Sequence, residues 1–172
     1  RGEGCERGPV RVVVTRAGRD VVKVQAYAGP LANDADSGRD LGAVPAAEAA
    51  AYLLSLAASA EGRPAREALL PAMLADSARV TPSLLTIARN AALSRDLRRS
   101  ALSWLARRRA EPGGVGPAGV AKALDAFVRD RAEPASLRQS AMNLIAQEQG
   151  GYRALKNRIL AFLPARAADQ TT

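Results

Sequence analysis

Displaced along itself by 40 positions, the chain lays residues 84 to 106 on residues 124 to 146 without a gap. Eight of these 23 pairs are identical: Leu84/Leu124, Arg89/Arg129, Ala92/Ala132, Leu97/Leu137, Arg98/Arg138, Ser100/Ser140, Ala101/Ala141 and Ala106/Ala146. Conservative pairs stand beside them, among them Ile87/Phe127, Ala88/Val128, Leu102/Met142 and Leu105/Ile145. A fixed period near 40, with matches at helical spacing, is the pattern of stacked helix pairs, in which each pair buries its apolar flank on the next. The repeat therefore constrains architecture strongly, and it constrains function mainly through the surface it leaves outward.

Composition agrees with a helical core. Aromatic residues make up only 3% of a chain that is 48% hydrophobic, and alanine is abundant, which suits helices packed closely through small side chains. With 172 residues, a core can form without a metal or disulfide to hold it. Cys5 is the single cysteine and histidine is absent, which excludes an intrachain disulfide, a zinc site of the usual donors and the commonest general base. The sequence has no run of 18 apolar residues, so no membrane span is expected. It opens on Arg1 rather than Met; this reads as a processed or trimmed chain, and an exported location is the lean among compartments that stay open.

Two β-branched runs, residues 10 to 16 and 21 to 27, flank a turn at Gly18 and predict a β-hairpin. Two strands alone are marginal in water, so the hairpin is expected to dock on the first helices as a cap. A polar connector follows from Gly29 to Gly42. Its Asp34, Asp36, Gly38 and Asp40 have a faint calcium-loop look, but Pro45 stands where a bidentate Glu would be needed, and an acidic linker is the stronger reading.

Helical periodicity then predicts segments at 45 to 60, 64 to 76, 82 to 90, 95 to 109, 117 to 131, 134 to 149 and 152 to 163. Thr81 and Pro82 read as a cap and first turn. The expected inward positions are Ala49, Tyr52, Leu53 and Leu56 in the first segment and Ala68, Leu69, Met73 and Leu74 in the second. In the fourth they are Leu97, Ala101, Trp104 and Leu105. The Gly-rich stretch 113 to 116 lacks the Lys-Ser/Thr of a phosphate loop and reads as a spacer. The organisation expected is a hairpin with connector over 1–42, a helical-repeat domain over 43–164 and a frayed tail over 165–172.

The inner helices begin Asp96, Leu97, Arg98, Arg99, Ser100, Ala101 and Leu137, Arg138, Gln139, Ser140, Ala141, and in this they resemble HEAT repeats, including those of phycobilin lyases. The resemblance covers roughly residues 45 to 163. It implies a mostly α fold, a short right-handed α-solenoid of about three helix pairs behind the hairpin cap, with scaffolding through the inner-helix face. It also implies that Arg98 and Arg138 tie neighbouring turns together.

Charge concentrates on the fourth predicted helix. The formal net charge is +8, of which +5 falls within residues 81 to 112, nearly all from arginine. Guanidinium groups gathered on one helix suit carboxylates or phosphates. The candidate partner-binding residues are Arg95, Arg98, Arg99, Arg107, Arg109 and Arg138. No Ser-His, Cys-His or paired-carboxylate arrangement can be assembled, so no enzyme, cofactor, metal or small-molecule substrate is expected. A protein or larger assembly is the expected partner. Nucleic acid is the alternative, on the analogy of HEAT-like alkylpurine glycosylases that cradle a duplex.

Overall fold

The computed structural model describes residues 8–28, 38–75, 78–108 and 115–148. The predicted helix at 152 to 163, the tail, Cys5, Arg109, Asp34 and Asp36 lie outside these residues. The fold is mostly helical with one two-stranded antiparallel hairpin. The chain divides into two compact units, Arg1–Gly116 and Pro117–Thr172, at the end of the Gly-rich stretch.

In the first unit, β1 (Val10–Ala17) pairs with β2 (Asp20–Ala28). The two loop residues between them require a backbone that few side chains tolerate, and Gly18 supplies it with φ of 63°. A bulge between Thr15 and Arg16 lets Val22 stand out of register, and on either side of it the pairs run from Val10↔Ala28 to Ala17↔Asp20. Alternation places Val10, Val12, Val14, Val24 and Ala26 on one face and Arg11, Val13, Thr15, Lys23 and Gln25 on the other. The first face turns inward: Val24 is only 3% exposed, and β2 lies against α2 and α3.

The helices of this unit are α1 (Ala46–Ser59), α2 (Gly62–Glu67), α3 (Leu69–Met73), α4 (Thr81–Arg89) and α5 (Arg95–Arg107). The single helix expected from 64 to 76 is broken into α2 and α3 at Ala68. Pro71 is the cause: it has no N–H to give the Glu67 carbonyl one turn back, and its ring would collide with that carbonyl. The buried side of α1 is Ala50, Leu53, Leu54, Leu56 and Ala57, so it is rotated from the expected stripe and leaves Tyr52 exposed. The Tyr52 hydroxyl accepts from Arg16 of β1 at 3.0 Å, a polar contact that suits an amphipathic ring at a rim. Leu74 is likewise exposed, while Ala68, Leu69, Ala72 and Met73 are buried. Val80, not Thr81, is the N-cap of α4, with Thr81 and Pro82 as its first helical residues.

The hairpin is fastened to α2 by Glu67. Its Oε2 accepts the backbone N–H of Val24 at 3.1 Å, and its Oε1 accepts from Arg63 at 2.6 Å. The bond from Val24, helped by Arg63 and Lys23, holds the Glu67 carboxyl below its usual range against the opposing effect of burial.

In the second unit, α6 (Gly116–Arg129) and α7 (Ala135–Glu148) are joined by a turn that repeats the Asx bonds of the α4–α5 turn. Asn90 Oδ1 accepts from Ala92 N–H at 3.0 Å, and Asp130 Oδ1 accepts from Ala132 N–H at 3.0 Å. Leu93 N–H reaches the Asn90 carbonyl at 3.1 Å, and Glu133 N–H reaches that of Asp130 at 3.2 Å. An Asx side chain that bonds two residues ahead fixes such a turn whatever follows it. Burial repeats too: Leu84, Ile87, Ala88, Leu97, Ala101 and Leu105 are buried, as are Leu124, Phe127, Val128, Leu137, Ala141 and Ile145.

Two outcomes follow. Asn90→Ala and Asp130→Ala each cost about 1 kcal/mol and speed amide exchange at Ala92 and Ala132 respectively. Because the folded-state pKa of Glu67 is lowered, its charge stabilises the fold above about pH 4.5, and that contribution disappears as pH falls through the depressed value. Glu67→Gln keeps an acceptor for Val24 but loses the charge, so its melting temperature falls less than that of the wild type between neutral and acidic pH.

Candidate functional site

Helix α5 carries most of the expected site, and its boundaries explain which arginines stay available. Ser94 caps its first turn by accepting from Leu97 N–H at 3.3 Å, and Asp96 adds a carboxylate where the helix dipole favours one. The buried face is Leu97, Arg98, Ala101, Leu102, Leu105 and Ala106. It packs against α4, α2 and α3.

Arg98 therefore does not belong to the outward strip. It is 3% exposed, and its Nε–H donates to the Ala88 carbonyl at 2.7 Å. Ala88 lies in the last turn of α4, where carbonyls have no partner within their own helix, so Arg98 caps one helix from the first turn of the next. The bond joins the two helices of the α4–α5 pair. Arg138 occupies the same place in α7, half-buried, with its Nε–H buried and unbonded.

Arg108 performs a similar task that the sequence reading missed. Its guanidinium donates to the carbonyls of Met73 and Ala75, the latter at 3.3 Å, at the end of α3. The signal was present in spacing, since 108 stands seven residues after the buried Ala101. Inside the run Arg107, Arg108, Arg109 it was masked by charge.

Arg95 and Arg99 remain outward, one helical turn apart. Tertiary packing adds Arg66 from α2. Asp96 Oδ2 lies 3.9 Å from Arg66 and its Oδ1 3.6 Å from Arg99, with side chains 48%, 63% and 49% exposed for Arg66, Asp96 and Arg99. Ion pairs this open contribute little, between about 0 and 1 kcal/mol, so the two guanidinium groups can exchange Asp96 for another anion at small cost. Nothing in the local sequence links Arg66 to residue 96, because only the packing of α2 on α5 joins them.

At the other end of α5, Arg107 is exposed and its Cζ lies 5.3 Å from the centre of the Trp104 ring. The ring is half-buried rather than part of the core face, and its repeat counterpart Leu144 is also half-buried. The pair presents a flat cation on an aromatic surface.

Among the described residues, no group of three or more His, Cys, Asp or Glu side chains could hold a metal ion, and no helix is long and apolar enough to cross a membrane. Comparison with protein-family models, with curated proteins and with solved structures gives no match.

The division between structural and outward arginines is testable by stability. Arg98→Met keeps the aliphatic bulk but orphans the Ala88 carbonyl, and is expected to lower the unfolding free energy by about 1.5–3 kcal/mol. Arg99→Ala is expected to change it by less than about 0.5 kcal/mol, both read from urea unfolding.

Proposed function

We propose that this chain is a non-enzymatic binding module, a short right-handed HEAT-like α-solenoid that serves as a scaffold or assembly subunit and grips an acidic protein partner through α5. The observation that carries the reading is the Arg66, Asp96, Arg99 arrangement. Two elements separated by some 30 residues of chain bring guanidinium groups to one carboxylate in the open, while Arg98 of α5 and Arg108 at its C-cap are withdrawn to hold neighbouring helices. The 40-residue agreement in turn geometry and burial supports the repeat architecture. Arg95 extends the cationic row by one turn, and Arg107 on Trp104 offers a second foothold.

Nucleic acid is the second reading, favoured by the excess of +5 within residues 81 to 112 and by an indole beside a guanidinium, which can stack on a base.

A triple replacement, Arg66→Ala with Arg95→Ala and Arg99→Ala, distinguishes these readings. Retention on immobilised polyglutamate and capture of partners from the native source are expected to drop about tenfold or more with helicity and melting unchanged. Undiminished capture removes this face from consideration. Tight binding of a DNA duplex that weakens steeply with added salt transfers the face to nucleic acid.

A further inference from the structure

We propose that the free edge of β1 is a docking strip for an extended acidic segment of a partner, which adds to the hairpin as a third strand. The two edges of the hairpin differ. On β2, the N–H of Val24 points away from β1, because it donates to Glu67 of α2, and α2 and α3 lie along that strand. In an antiparallel pair, residues whose N–H groups point outward alternate with residues that exchange bonds. The pair Val14↔Val24 is therefore of the outward kind, as are Val12↔Ala26 and Val10↔Ala28.

It follows that Val10, Val12 and Val14 direct their N–H and C=O groups away from β2, at the side where no further strand pairs among the described residues. No hydrogen bond among the described residues ends on these groups. The strip also lacks the usual protections of an edge: between Val10 and Val14 there is no proline, no lysine and no charge on the inward face. The bulge begins only at Thr15 and Arg16.

The chemistry of the occupant follows from the two faces. A strand laid against β1 would place alternate side chains beside Val10, Val12 and Val14, which calls for apolar residues, and the intervening ones beside Arg11, with Lys23 on the same face of β2. The position beside Arg11 calls for Asp or Glu, and Lys23 adds a second positive charge on that face, while Val13 and Thr15 complete it. A second copy of the chain is the poorer fit. Antiparallel pairing of two β1 strands about Val12 would set the two Arg11 side chains diagonally on one face, about 7–8 Å apart, in a chain that already carries +8.

A short fluorescein-labelled peptide of alternating valine and glutamate tests the assignment by anisotropy on the full chain. Binding is expected for the wild type and for the Arg66, Arg95, Arg99 triple variant alike, so that failure here is separable from failure of the α5 face. Arg11→Glu is expected to weaken it about tenfold or more. Val12→Pro removes an outward N–H that the hairpin does not use, so the fold should persist, by circular dichroism, while binding is lost. Should that variant unfold, N-methylation of alternate amides of the peptide makes the same test, abolishing binding in one phase only. Equal binding by the methylated peptides, slow amide exchange at Val12 and Val14 in the free protein, or a dimer in sedimentation that Val12→Pro dissolves would each overturn the proposal.

Discussion

A guanidinium that is 3% exposed cannot be left without acceptors, and the first unit is arranged around that requirement at Arg98. The end of a helix offers carbonyls without partners in their own helix, and Arg98 draws the last turn of α4 onto the first turn of α5, with Ala88 supplying the carbonyl. Leu84, Ile87 and Ala88 then close over Leu97, Ala101 and Leu105. At the far end of α5, Arg108 holds the end of α3 in the same manner. Apolar burial supplies most of the stabilisation and these two cations supply direction, since a hydrogen bond to a carbonyl tolerates far less displacement than a contact between methyl groups.

The same helix explains why the remaining arginines are available. Apart from Arg98, whose guanidinium is bonded inside, the charged arginines of α5 stand on the side opposite its core face, at Arg95, Arg99 and Arg107. Asp96, favoured in the first turn by the helix dipole, tempers two of the cations without neutralising the face, because an open ion pair in water binds weakly. The hairpin is similarly asymmetric: Glu67 of α2 accepts the outward N–H of Val24 on β2, while the valine edge of β1 keeps its backbone groups outward.

Much of the secondary structure was legible because its causes are local. The hairpin ends, α1, α4, α5, α6 and α7 fall within about two residues of the positions that periodicity and turn residues indicate. Where the reading failed, the reason was a constraint other than hydropathy. Pro71 split α2 from α3 despite an unbroken apolar pattern, and Tyr52 faced outward because its hydroxyl serves Arg16. The candidate arginines among the described residues divided in a way that charge alone could not foresee, since Arg98 and Arg99 are adjacent and identical yet one is buried and the other half in water.

By itself, the sequence determined the repeat and its turns: Asn90 and Asp130 bend the chain through their own side chains, and the matched leucines mark the buried flank of each helix. It also determined that a cationic helix would exist, because residues 95 to 109 carry their arginines whatever surrounds them. Tertiary structure alone decided which of those cations became internal struts and which stayed outward, because that depends on where the carbonyls of α3 and α4 come to rest. It alone joined Arg66 to Asp96 and chose which edge of the hairpin to cover, since each needs two segments distant along the chain to meet.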